Sequence, residues 1–280
     1  TITRPLIADH EIVSLPSAST LSLLRHDAES RQMAPKMVAV IADPVFTPDD
    51  ARLFAGKKGE PGRATEPLFE PQLEKSLRDT GGADAGSSLP RLLNTRREAS
   101  AILALAQATS RKGALDFDAS RATASNPDLG QYRIVHFATH GLVNDVHPEL
   151  SGLVLSLVDE RGQPQDGFLR LIDVYNLSLP VELVVLSACR TGLGKEIRGE
   201  GLMGLTRGFM YAGSSRVTAS LWKVDDRATA ELMKRFYEGM LVERLSPAAA
   251  LRAAQVGMWK QKQWQDPYYW AAFVLYGEWK

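Results

Sequence analysis

Cysteine is nearly absent: one residue, Cys189, in 280. A single thiol excludes an intramolecular disulfide framework and a cysteine-built metal site. An excess of one charge is missing too. Lysine plus arginine equals aspartate plus glutamate at 33 each, so no global field draws the chain to nucleic acid or an anionic membrane. No apolar run approaches the ~18 residues of a membrane-spanning helix, no signal-peptide pattern opens the chain, and no internal repeat is visible. Together these point to a cytoplasmic protein. The chain begins at Thr1 rather than Met, as expected of a fragment or a processed piece.

The length and the 44% hydrophobic content are enough for one large α/β domain or two small ones. Buried strands are expected at 37–44 (MVAVIADP), 134–138, 153–157, 183–186, 216–221 and 268–275, with a short one at 115–117. Helical patterning marks 91–110, with Thr95 as a possible cap and Glu98 at the third helical position, then 119–129, 169–177, 202–212, 227–243 and 248–259. Strand and helix alternate, which predicts a mostly parallel central sheet with helices on both faces. Residues 49–90 are rich in Gly, Pro, Ser and charge, and read as a surface loop or insertion.

Cys189 follows an apolar run, Leu183-Val184-Val185-Leu186, where a parallel strand would end. Ligands in open α/β sheets bind outside those carboxyl ends. His140-Gly141 stands in the same position after Ile134-Val135-His136-Phe137-Ala138. If the two strands are neighbours, an imidazole meets the thiol. A free thiol, with pKa about 8.5, is only slightly ionised at neutral pH, and a neighbouring base activates it. A lone cysteine in an apolar strand is ordinarily a small packed residue; the second strand ending in His-Gly turns the reading toward a His140–Cys189 pair. His136, mid-strand, is expected to be a packed or sheet-facing histidine, and His147, before Pro148, a loop residue.

A specificity pocket is less sharply drawn. Asp225 and Asp226 either pair with a basic substrate side chain or cap the helix near Arg227, where Asp suits the macrodipole. Trp222 either walls that pocket or packs in the core. Asp145 and Glu149 read as solvated loop charges, and Lys195 and Arg198 as an exposed loop.

Five ordered segments carry a family resemblance: HFATHG (136–141), LSACRTG (186–192), GEGLMGL (199–205), ASLWKVDD (219–226) and PYYWAAFVLYG (267–277), with TRREA (95–99) as a weaker extension. They resemble the CHAT domain, a caspase-like cysteine peptidase domain. A His about 50 residues before an Ala-Cys motif is also the caspase spacing. One departure is Arg190, where the family often has Glu. The resemblance implies a caspase-like α/β fold, with residues 1–130 as the N-terminal part of the unit, including the insertion at about 49–90, and 131–280 as the catalytic part. It also implies a mechanism. Cys189 attacks a peptide carbonyl to give an acyl-enzyme, His140 is the acid/base, and the backbone N–H groups of Gly141 and Cys189 hold the oxyanion. Extended substrate would lie along the sheet edge. No metal or organic cofactor is required. The expected partners are a protein or peptide substrate, such as a pore-forming protein in bacterial defence or cell death, and an activating or repeat-containing region outside this chain; nucleic acid and membrane are not expected. The competing reading is an inert scaffold or binding module on the same fold. A thiol redox sensor is weaker, because no second cysteine can resolve an oxidised one.

Overall fold

A computed structural model describes residues 4–15, 17–19, 21–22, 25–26, 31–54, 70–80, 89–187, 189–190, 200–222 and 224–279. The sequence readings at Lys195 and Arg198 lie outside them. The apolar, β-branched runs form the strands of the main sheet: β1 (Val13–Ser14), β2 (Lys36–Pro44), β3 (Arg111–Asp116), β4 (Tyr132–Ala138), β8 (Leu183–Leu186), β10 (Arg216–Ser220) and β11 (Phe273–Gly277). A second, smaller sheet takes β5 (His140–Leu142), β6 (Gly152–Val154), β7 (Phe168–Arg170) and β9 (Cys189–Arg190).

The main sheet runs β1-β11-β10-β8-β4-β2-β3, and every neighbouring pair is parallel except β10 with β11. Successive residues of a strand face opposite sides, and here both sides are covered. Val38, Val40, Ala42, Ile134, Leu183 and Val185 share one core. It is closed by helices α2 (Leu93–Ala104), α6 (Asp226–Leu241) and α7 (Pro247–Trp259), through residues such as Ile102, Phe236 and Met258. Ala39, Ile41, Val135, Phe137, Val184 and Leu186 face the other core, under α4 (Leu171–Tyr175) and α5 (Glu200–Tyr211). Continuous apolar strands are therefore what a sheet buried on both faces requires. The architecture is α/β and mostly parallel, as the alternation predicted.

Several local expectations change. The helix expected over 119–129 is a single short turn, α3 (Arg121–Ala124), followed by a 3-10 turn at Pro127–Gln131. The 49–90 stretch is not only loop: Pro71–Asp79 forms helix α1, with Leu73 and Leu77 buried beside Phe46 and Phe168. Ser76 fixes it by donating to the Leu150 carbonyl at 2.8 Å. Thr95 lies inside α2 rather than capping it, and its hydroxyl donates to the Leu92 carbonyl at 2.6 Å. The last strand begins at Phe273 rather than Tyr268, because Pro267–Tyr269 makes a single 3-10 turn. Among the described residues no helix is long and apolar enough to cross a membrane.

Candidate active site

β4 and β8 are adjacent parallel strands, with His136 opposite Val185 and Phe137 opposite Leu186. The Ser187 N–H extends the ladder by donating to the Phe137 carbonyl at 2.9 Å. Past that point both chains leave the main sheet together and pair again. β5 and β9 are parallel, with His140 in register with Cys189 and Gly141 with Arg190. Strands in a sheet lie about 4.8 Å apart, so the backbone brings His140 and Cys189 side by side although half a hundred residues separate them in the chain.

His140 is closed in on several sides. It is buried, and β6 pairs along β5 with Val154 opposite it. The Thr139 hydroxyl donates to the Val154 carbonyl and pins the turn between β4 and β5. The Phe46 ring lies against the imidazole, with centroids 5.0 Å apart and planes tilted by 49°. Nε2 sits 2.7 Å from the Pro90 carbonyl oxygen. A carbonyl can only accept, so Nε2 carries the proton, and in the neutral ring Nδ1 is the basic nitrogen. The imidazole is thus oriented and fixed in one tautomer, the arrangement that a general base needs.

Pro90 is itself tied down. Arg91, the next residue, forks onto Asp43, with Nε 2.8 Å from Oδ1 and Nη2 2.6 Å from Oδ2. Asp43, the last residue but one of β2, lies in the left-handed region at φ 51° and is fully buried. It also receives Arg96 Nε at 2.6 Å, and Arg52 Nη1 lies 3.3 Å away. Arg52 and Arg96 go on to Asp116. Burial pushes the Asp116 carboxyl up, but hydrogen bonds from Arg96 and Arg52 outweigh it and hold the group below the usual carboxylate range. Asp50 is likewise lowered by its hydrogen bond from Arg52.

The pocket candidates have defined contacts. Asp225 Oδ1 accepts from the backbone N–H of Arg227 and Ala228 at 3.0 and 2.9 Å, capping α6. Asp226 Oδ2 accepts from the backbone N–H and side-chain amide of Asn94 at 2.9 and 2.8 Å, which caps α2 from a neighbouring helix. Trp222 Nε1 donates to the Tyr268 carbonyl at 3.1 Å. His136 is packed as expected, on the face of the sheet toward α2 and α6. Its Nε2 lies 3.0 Å from Glu98 Oε1 and its Nδ1 3.1 Å from the Tyr237 hydroxyl. His147 lies before a short turn, 3.2 Å from Glu149. Sequence reading missed Phe46, Pro90, Arg91 and Asp43. A carbonyl contributed by the backbone has no residue signature, and the only signal available was the Leu89-Pro90 break just before a helix.

The family model described as "CHAT domain" matches residues 2–278. Among curated proteins, the human tetratricopeptide repeat protein 28 is 36% identical over 113 residues, which is 40% of this chain and 4% of that protein. Its mouse counterpart is 35% identical over 105 residues, 38% of this chain and 4% of that protein. The chain therefore spans only a small part of these relatives. Among solved structures, the Arg-specific cysteine proteinase gingipain R superposes with a TM-score of 0.52 at 12% identity, covering 94% of this chain and 52% of that one. At that identity the likeness is one of fold.

Proposed function

This chain belongs to the CHAT domain family, and from that premise we propose that it is a cysteine endopeptidase working through Cys189 and His140. One observation supports this above all: the two residues are register partners in β5 and β9, and the imidazole is held by the Pro90 carbonyl at Nε2.

In the proposed reaction His140 Nδ1 takes the thiol proton, and the thiolate attacks the substrate carbonyl carbon. The C–S bond forms and the oxyanion is held by the N–H groups of Gly141 and Cys189. His140 then protonates the leaving amine as the C–N bond breaks. Water attacks the acyl-enzyme with His140 as base, the C–S bond breaks, and the carboxyl product leaves with the thiol restored. The Pro90 carbonyl lowers the energy of the imidazolium in each half-reaction by accepting from Nε2–H.

For the substrate we propose a protein presented as an extended segment. The biological role we propose is a regulated cut in bacterial defence or cell death, made in the cytoplasm, with a pore-forming protein as one class of target and a repeat-containing region or partner as the control. That role rests on family analogy. Co-expression with candidate neighbour proteins tests it by a cut that disappears in Cys189→Ala.

The chemistry is tested by a peptide-library cleavage profile on wild type and Cys189→Ala, together with thiol alkylation across pH. Dyad-dependent cutting, and a thiol pKa below about 8.5 that rises in His140→Ala, are the expected results. An uncut library with a thiol that alkylates like free cysteine would replace this reading with a scaffold on a peptidase fold.

A further inference from the structure

The Pro90 carbonyl reaches His140 from a segment with no strand ladder of its own, so something else must set its direction. Within a planar peptide the Pro90 C=O and the Arg91 N–H share one plane. Anchoring the Arg91 side chain therefore restrains the backbone that carries the carbonyl. Arg91 is held by a two-pronged, charge-assisted contact to Asp43 at 2.8 and 2.6 Å, the geometry in which a guanidinium and a carboxylate orient one another most strongly.

We propose that Asp43 and Arg91 are positioning residues for His140, an ion-pair strap that presses the Pro90 carbonyl onto Nε2. The inference deepens the dyad reading above and rests on it. Asp43 is suited to be the fixed end. It is buried, it faces Arg96 and Arg52 as well as Arg91, and Arg52 Nη1 also donates to its main-chain carbonyl at 2.6 Å. Burying such a cluster is a poor way to gain stability, since desolvation offsets most of the attraction; what it does provide is a set position. The same strand exit supplies a second constraint. Phe46, three residues after Asp43, lies against the imidazole ring. The end of β2 thus sets the ring plane by contact and the Nε2 direction through Arg91 and Pro90.

The test is the pH profile of Cys189 alkylation by iodoacetamide, which needs no substrate. It is measured on the full chain for wild type, His140→Ala, Arg91→Met, Arg91→Lys and the exposed-helix control Arg97→Met, each with a thermal melt. Histidine labelled with nitrogen-15 adds a second readout, the hydrogen-bonded Nε2–H resonance assigned by its loss in His140→Ala. Arg91 is about one-third exposed, and Asp43 keeps Arg52 and Arg96 in these variants, so folding is expected to survive. The expected result is a thiol pKa raised in Arg91→Met by a substantial part of the His140→Ala shift, with the Nε2–H resonance broadened or lost. Arg91→Lys should recover the profile only in part, since an ammonium cannot fork, and Arg97→Met should match wild type. A profile and resonance unchanged in Arg91→Met, beside a clear shift in His140→Ala, would overturn the strap and leave the dyad standing. No shift in His140→Ala would remove the dyad itself, and the strap's role with it.

Discussion

His136 Nε2 lies 3.0 Å from Glu98 Oε1 with both side chains sealed from solvent. The two atoms are within ion-pair distance but are not aligned as a hydrogen bond, so proximity rather than direction couples them. On the other side of the ring the Tyr237 hydroxyl is 3.1 Å from Nδ1. Burial, helped by the Glu98 charge, pushes the Tyr237 hydroxyl well above its ordinary pKa. The trio ties β4 to α2 and α6, at a histidine four residues before His140. Removing one member leaves a buried polar partner behind, so His136→Leu should cost on the order of 3–5 kcal/mol in chemical denaturation. The double variant His136→Leu/Glu98→Leu should cost less than the sum of its parts, the mark of direct coupling.

Asp116 gives a prediction in pH. Its folded-state pKa is depressed, so its contribution is complete above the unfolded value of about 3.9 and is lost as pH falls through the lower folded value. Asp116 sits at φ 55°, which asparagine tolerates. Asp116→Asn should therefore melt below wild type at pH 7, and the gap should narrow as pH falls below about 4. A gap constant with pH would assign the loss to packing.

Gly152 is required by the strand beside it. A Cβ there would stand 2.4 Å from the Leu169 carbonyl oxygen and 2.7 Å from the Phe168 ring. Leu142 of β5 pairs with Gly152 on its other side. Gly152→Ala should force β6 away from β7 and cost roughly 1–3 kcal/mol in thermal or urea unfolding.

The two acidic caps separate stability from specificity. Asp225→Ala should cost about 1 kcal/mol, as loss of a helix cap does. Asp226→Ala releases both Asn94 donors and should loosen the heads of α2 and α6 together. Because both carboxylates are engaged in caps, neither variant should change which residue is preferred before the cut in a peptide-library profile. A basic preference lost with either one would make that residue a pocket wall.

Much of the fold was legible because the central strands are buried on both faces. That forces unbroken apolar runs, and 37–44, 134–138 and 183–186 are visible for that reason. The helix head at Asp225 was legible from local capping chemistry. Of the small sheet only β6 overlaps an expected strand, 153–157; strands of two or three residues have no period to read. Helix α1 hid in a polar stretch because two leucines suffice to anchor it. The Tyr268–Ala272 run resembled a strand, but Gln255 holds this bend instead, donating to the Trp270 and Phe273 carbonyls at 3.0 and 2.9 Å.

At the candidate site, the two residues of the proposed dyad stand out in the sequence by type and by strand ending. The groups around His140 do not. Pro90 contacts the imidazole through its backbone carbonyl, and Asp43 meets Arg91 across 48 residues. Asp226 reaches Asn94 across 132. Contacts of that separation are set by topology, which a single sequence does not display.

The parallel pairing of β4 with β8 also has a consequence in time. Neither strand reaches the other until the chain between them has folded back, and closing a loop of that length carries an entropic cost before any contact offsets it. Cys189 and His140 can meet only after that closure. A growing chain, or one caught half-folded, would carry an ordinary thiol and a loose imidazole. If the two residues act together, activity waits on that closure and is switched on only once β8 docks beside β4.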